Sequence, residues 1–534
     1  MDNVMKKKAL DSLLCFEDLQ NKTDITLSSS VTFHLSSSHK SMLNKACFSK
    51  IPFPGVLGFV ILSLRKKAVK KLFKDEKVIQ TAPAAAVLAL NAGQGADIQA
   101  IRDGKSGEPV ICDVGLSGLQ VVRLYMMAYE GNKKFVKRRT DSAINVKNAL
   151  NGSFYKYQTK DGGYFSTHVY YESQKAKMMK VLGIDTDPNE FTYGNLKKDM
   201  KVVTAKMKEF DGYDLMDQSF ANGACSCVLQ DRATWESSAV GKAVCDMPLF
   251  RLNKVTDTPK KEYGKTNGKG PLAGVKVLDL THIIAGPACT RILAEQGADV
   301  LLIRRGIYEE QEQAMLELDG WAGKNSIQLD FNIASQLEKA KELIKEADVV
   351  VTSYQQGALD KFGLSRSDIR TLNPSVVYGT LMCFSDSVWK ERPGWAPLAE
   401  DFTGLSIRNG SKEEPVNLNG VPLDYIPGFL LAAGVLKAIK LTITDGGGYD
   451  VTGSLTRGGQ WLHECTDLCE GKYDESQLKN ILENQEIEIF KHPYIQVDHT
   501  AVGTSYFPPM ATYVKGGYTG IDNMCFQDGQ DNFR

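Results

Sequence analysis

Residues 275–305, VKVLDLTHIIAGPACTRILAEQGADVLLIRR, constrain the fold more tightly than any other stretch of the chain. VKVLDL is a short apolar run rich in β-branched residues, suited to a buried strand. THIIAGP is a turn whose small residues let other atoms approach the backbone. Pro287 falls in the first turn of a helix, where its missing N–H is tolerated. ACTRILAEQ continues that helix and Gly297 ends it. Residues 299–303 form a second strand that carries Arg304 and Arg305 to its C-terminal edge. Strand, helix and parallel strand make a βαβ unit, the opening of an open parallel sheet. Such sheets take ligands at the C-terminal ends of their strands.

The end of the second strand narrows the ligand. No Gly-x-Gly-x-x-Gly fingerprint is present, which argues against a plain nicotinamide dinucleotide. Where an acidic residue would hold a free ribose diol, the chain has arginine. Arginine suits a phosphorylated ribose, such as that of coenzyme A. On spacing alone the two arginines read equally well as solvated surface groups.

Length and composition set outer bounds. A chain of 534 residues has room for two or more domains, and 43% hydrophobic with 24% charged residues is ordinary for a globular protein. Zero net charge supplies no global field for nucleic acid, and no nucleic-acid partner is expected. The 11 cysteines are scattered, and Cys225 and Cys227 are too close for C-x-x-C spacing. An odd count without a framework fits a reducing compartment, and no metal site is expected. The expected location is cytoplasmic, with mitochondrial and peroxisomal alternatives open. No apolar run is read as a membrane span, and MDNVMKKKALDSLL lacks the apolar core of a signal peptide.

The stretch PLAGVKVLDLTHIIAGPACTRILAEQGADVLLIRRG resembles the N-terminal signature of the class III (CaiB/BaiF-type) CoA-transferase family. That family includes formyl-CoA transferase, the carnitine CoA-transferases and α-methylacyl-CoA racemase. The resemblance continues through KNSIQLDF, ADVVVTSYQQGALDKFGLS, LNPSVVYGTL and PLDYIPGFLLAAGVLKAI, covering roughly residues 271–461 in order. It runs nearest to tandem fungal-type members, in which two copies share one chain. It implies an α/β fold: an open, parallel, Rossmann-like large domain with an α+β small domain, internally duplicated.

The chain divides accordingly. Residues 1–80 are poorly readable and could be the remnant of a first large domain; they include the apolar PFPGVLGFVILSL and the basic RKKAVKKLFKDEK. Residues 81–255 are read as a partial first copy with its small domain. Here GEPVICDVGLSGLQVVRL echoes GGYDVTGSLTRGGQWL of the second copy, and SFYKYQTKDGGYFSTHV alternates as a β-hairpin. This first copy shows no catalytic carboxylate in context, so packing is its expected role. Residues 256–270, polar and Lys/Gly-rich, are read as a linker, and residues 271–465 as the second copy. Residues 466–534 are atypical: DESQLKNILENQEIEIF reads as a helix, with room for a strand, and YIQVDHTAVGTSYFPPMATYVKGG as a short β segment with turns.

Site residues follow from the resemblance, each beside a plainer reading. Ile284 and Ala285 occupy the loop after the first strand, where the family holds CoA. Arg305 would meet the ribose phosphate. Ser353 and Tyr354 end the third strand; Tyr354 would flank the adenine, or serve as an edge aromatic in the core. Lys361 would sit near the nucleotide phosphates, or on the surface. Trp395 would cover the thioester pocket, or fill core. Racemase-type members carry His at the position of Trp395, followed by Asp where this chain has Ala396. Proton exchange at an α-carbon needs a base on each face, so this departure weakens the racemase alternative.

Residues 428–439 are apolar all round, the mark of a buried helix, and Pro427 suits its first turn. Asp424 falls where the family has its catalytic aspartate. Near a helix N-terminus its carboxylate is expected to be ionised and able to attack a thioester; from the residues alone it reads as a helix cap. The glycine-rich DGGGYD loop, residues 445–450, is a candidate source of oxyanion-stabilising N–H groups. The expected reaction is transfer of coenzyme A between an acyl-CoA and a small carboxylic acid through an aspartyl-CoA thioester. CoA or acyl-CoA enters as substrate, with no cofactor tightly bound. An acyl-CoA racemase or isomerase and a non-catalytic CoA-binding protein remain as alternatives. The two copies are expected to pair within one chain as a pseudo-dimer, or across a homodimer.

Overall fold

The computed structural model describes residues 3–35, 76–123, 128–131, 155–169, 171–188, 190–191, 197–304, 318–384, 388–470, 481–483, 495–500, 503–507 and 510–514. PFPGVLGFVILSL and nearly all of the basic stretch after it lie outside these residues, as does Arg305.

The dominant feature is a seven-stranded sheet. In chain order its strands are β1 Phe250–Thr256, β2 Lys276–Leu280, β3 Asp299–Arg304, β4 Asn325–Gln328, β5 Val349–Thr352, β6 Val377–Met382 and β7 Gly448–Ser454. Their spatial order is β4-β3-β2-β5-β6-β7-β1. All neighbours run parallel except β7 and β1, which are antiparallel. The βαβ reading of residues 275–305 is therefore correct, with the helix running Ala285–Glu295 and Gly297 left-handed at φ 91° just past its end. The strand order reverses between β2 and β5, which opens a crevice at their C-terminal ends.

Alternation along the strands builds three layers. Val277, Val349 and Val351 join the core on one face, which holds the helices Ala285–Glu295 and Pro422–Thr444. Leu278, Leu280 and Val350 join the core on the other, under Ala340, Leu343 and Ile344 of the helix Ala334–Glu346. Successive side chains on a strand face opposite ways, so one continuous apolar run feeds both layers.

The helix Pro422–Thr444 starts six residues before the expected 428 and contains Pro427. Pro422 takes the first-turn position, and Pro427 loses one backbone hydrogen bond farther in, a defect of about 3 kcal/mol. Burial on every side overrides it. By length and composition this helix could cross a bilayer, contrary to the sequence expectation. Here it is a core helix, with Gly434 packed so closely that a Cβ would come within 2.5 Å of Val451.

A second helix of equal length, Thr81–Asp103, packs along it. Asn91 Nδ2 donates to Phe429 O (3.1 Å) and Gln94 Nε2 to Ala433 O (3.1 Å). After Thr81–Asp103 come the strand Val110–Asp113 and the helix Val114–Gln120. That strand lies in a four-stranded sheet ordered Ile481–Glu483, Val31–Leu35, Val110–Asp113, Thr512–Val514. The C-terminal segment thus completes a sheet begun at the N-terminus. An N-terminal helix, Asn3–Thr23, covers this unit.

The expected hairpin forms as Tyr157–Gln158 against Tyr164–Thr167, with Ser226–Val228 as third strand. Two boundaries differ from expectation. Strand β1, assigned by sequence to the first copy, forms the edge of the seven-stranded sheet. The supposed linker is pinned: Arg102 donates to the carbonyls of Tyr263, Gly264, Pro271 and Ala273, and Asp103 accepts from Thr266 N and Oγ1, both at 2.8 Å.

Candidate active site

The loop after β2 is held from below. Asp279, fully buried, accepts from Thr281 N (2.9 Å), Thr281 Oγ1 (2.6 Å), Thr290 Oγ1 (2.6 Å) and the equally buried Lys324 Nζ (2.7 Å). This clamp fixes a strained backbone: Ile283 has φ 67°, rare for a β-branched residue. Ile284 and Ala285 follow, both buried at the helix start. Gly428, one turn after Asp424, lies so close that a Cβ there would overlap the Ala285 carbonyl oxygen. The loop and the Asp424 helix are therefore direct neighbours.

Across the crevice, the His282 amide donates to Ser353 Oγ (3.2 Å) and the His282 ring stacks on Tyr354 (4.8 Å, 23°). Desolvation pushes His282 down to about 4, so it faces the crevice as neutral imidazole. Beside it lies a cavity of about 230 Å³ lined by Leu280, Ile303, Leu329, Phe331, Tyr354 and Lys361 among others. Tyr354 and Lys361, chosen from sequence, thus share one cavity at the strand ends, with Lys361 Nζ 4.8 Å from the Phe362 ring centre. Arg304 is buried, its guanidinium 4.2 Å from the Trp321 ring centre.

Trp395 precedes the short helix Ala396–Phe402. It stacks on His168 (4.4 Å) and tilts against Tyr171 (5.5 Å), both from the residues around the hairpin sheet. Two buried residues farther along, Glu400 and Asp401, belong to that helix. Asp401 binds Lys156 Nζ and accepts from Ser166 Oγ (2.6 Å) and Ser406 Oγ (2.5 Å). Glu400 Oε2 accepts from Asn417 Nδ2 (2.8 Å) and Leu418 N (2.9 Å).

Asp424 is the third residue of its helix and only 9% exposed. Among the described residues its side chain makes no hydrogen bond or ion pair. Burial, reinforced by the charge of Glu400, pushes it up to about 8. The expectation that the helix terminus keeps it ionised is thus reversed: a half-charge of dipole does not offset desolvation of a buried carboxylate. The DGGGYD loop is also corrected. It follows the far end of the 23-residue helix, about 30 Å from Asp424 at about 1.5 Å per residue. Its Gly446 and Gly447 amides are bonded to Leu441 O (3.1 Å) and Thr258 O (2.9 Å), and it cannot serve an oxyanion at Asp424.

Sequence reasoning passed over His282 and Glu400. His282 was visible inside THIIAG; Glu400 carried no local signal, because its burial depends on the residue 417–418 loop.

The strand reversal, the clamped loop and the isolated carboxyl define a doubly wound α/β protein with a ligand crevice at its switch point. Residues 272–492 match the model described as CoA-transferase family III. The chain is 27% identical over 358 residues to the acetyl-coenzyme A transferase nodX of Hypoxylon pulicicidum, covering 63% of this chain and 58% of that protein. It is 30% identical over 198 residues to the formyl-CoA:oxalate CoA-transferase of Rhodopseudomonas palustris, covering 35% and 47% respectively. A CAIB/BAIF family protein from Brucella suis, of known structure, is 25% identical with a TM-score of 0.35, covering 44% of this chain and 65% of that one. The chain spans about half the length of the curated relatives it matches.

Proposed function

We propose that this protein transfers coenzyme A from an acyl-CoA to a carboxylic acid, with Asp424 as nucleophile. The observation that carries this reading is a carboxyl buried beside the switch-point loop, without hydrogen bond or cation among the described residues, inside the family segment. A structural aspartate in such surroundings would be capped or paired.

The reaction balances through four acyl exchanges. Asp424 in its ionised form attacks the thioester carbon, the C–S bond breaks, and CoA leaves as thiolate from an aspartyl mixed anhydride; the carboxyl proton has gone to solvent before this step. The thiolate attacks the aspartyl carbon and expels the donor acid as carboxylate. The acceptor carboxylate attacks the resulting aspartyl-CoA thioester, freeing thiolate and forming a second anhydride. The thiolate then attacks the acceptor acyl carbon, giving the new acyl-CoA and restoring Asp424. Ile284 and Ala285 would line the CoA arm, Ser353, Tyr354 and Lys361 the nucleotide end, with Arg305 toward its phosphate. Trp395 would wall the acyl pocket.

The hairpin unit packs on Trp395 and Asp401 within the same chain, which supports a single chain assembling the site as a pseudo-dimer. The matching helix–strand–helix order at residues 81–120 and 422–469 supports two copies of one architecture, the first serving as scaffold.

Incubation with acyl-CoA and an acceptor acid in heavy water tests the chemistry. Transfer without deuterium at the α-carbon is expected. Deuterium incorporation with no need for an acceptor would instead establish racemase chemistry; calorimetric CoA binding without either reaction would establish a binding protein.

A further inference from the structure

We propose that Glu400 is a positioning residue for Asp424: a second buried carboxyl, anchored by one oxygen, whose charge decides when Asp424 can act as a nucleophile. The proposal rests on the reading of Asp424 as nucleophile and adds a control on it.

Glu400 is 3% exposed, and no cation stands within ion-pair reach of it among the described residues. Lys156, the cation of its surroundings, is committed to the neighbouring Asp401. A buried carboxylate with only neutral donors is costly to keep as packing alone. Its anchor is informative. Asn417 and the Leu418 amide both hold Oε2, and the same chain segment enters the Asp424 helix at Pro422. One loop thus ties Glu400 to the first turn that carries Asp424.

The other titratable groups around the pair are buried or held by partners of their own. Cys383, in the loop after β6, is a thiol raised by burial, Cys225 and Asp424. Cys225 and Cys227, from the hairpin unit, are likewise raised by burial. His168, beside Trp395, is pushed by burial down to about 3 and stays neutral. On the helix Leu455–Cys469, Arg457 is bonded to Met247 O and Glu464, and His463 to Thr403 O. On the helix Ala285–Glu295, Arg291 is paired with Glu295. Tyr425, next to Asp424, faces Asp319 and the arginines. Glu400 itself is pushed up to about 7 by burial, against its two donors. The pair therefore changes charge state around pH 7–8, and a negative Glu400 opposes ionisation of Asp424.

The test compares the full-length protein with Glu400→Gln, whose amide oxygen can still accept from Asn417 and Leu418. The pH profile of kcat/KM is measured together with the infrared carboxyl band as a function of pH. Removing the charge should move the rising limb about one unit toward acid. Below the limb, kcat/KM relative to its own plateau should then rise about tenfold, and the carboxyl band should be lost at correspondingly lower pH. Asn417→Ala, which weakens the charged form of Glu400, should move the limb the same way by less. An unmoved limb and band in both variants overturn the proposal. The infrared band decides the coupling even where no acyl adduct forms on Asp424, a result that would remove the nucleophile reading instead.

Discussion

The helices Thr81–Asp103 and Pro422–Thr444 are both 23 residues long and pack side by side. Each is followed by a glycine at positive φ, Gly104 at 65° and Gly446 at 70°, and then by a strand and a helix. Even the caps correspond: Asp113 accepts from Leu116 N at 2.9 Å and Ser454 from Arg457 N at 3.2 Å. They differ where it matters for chemistry. The third residue of one is Asp424; the third of the other is Pro83, which has no side-chain oxygen. The two helices thus carry a buried carboxyl at the third position of one and a proline at the third position of the other.

The sharpest way to break this comparison is to exchange the chemistry. Asp424→Asn keeps the shape but cannot form an anhydride, and steady-state transfer should fall about 10³-fold or more, with CoA binding by calorimetry near that of the parent. Pro83→Asp should gain no transfer activity.

The contact between the two halves should be the next largest effect. Arg123 of the first half donates to Asp319 at 2.5 Å, beside Arg291. Burial opposes ionisation of Asp319, yet Arg291 and Arg123 more than offset it and hold the carboxyl below its usual range. Asp319→Asn leaves two buried arginines short of charge and should cost about 3–5 kcal/mol in denaturant unfolding.

Asp424 also leaves a signature in stability. Its folded-state value of about 8 exceeds the ordinary 3.8, so the folded protein keeps a proton that the unfolded chain releases between about pH 4 and 8. This group therefore lowers stability as pH rises through that window. Asp424→Asn removes the effect, so the variant should gain on the parent from about pH 5 to pH 8, measured by urea midpoints.

Smaller effects follow at the nucleotide end. Tyr354→Ala should weaken CoA binding about tenfold, and Pro83→Ala should change transfer less than about twofold.

Much of this architecture was legible from residues 275–305, because βαβ chemistry is local: an apolar run, a small-residue turn and Gly297 suffice. The hairpin at 157–167 was legible for the same reason. The start of the Asp424 helix was not, since Pro427 mimics a boundary that only tertiary burial overrides. The strand Ile481–Glu483 pairs with Val31–Leu35 more than 400 residues away, and nothing local announces it. In AED, residues 399–401, two acids look like surface; their burial depends on Lys156, Ser166 and Asn417 arriving from elsewhere. The glycine run at 446–448 misled in the opposite sense, because nearness in sequence to the Asp424 helix says nothing about which end it occupies.

The most direct measurement is mass spectrometry of the protein quenched during turnover with acyl-CoA. The account predicts an acyl or CoA adduct on the peptide containing Asp424, absent in Asp424→Asn and absent from the peptide containing Pro83. Turnover with Asp424 unmodified, or with the adduct on another side chain, would contradict it.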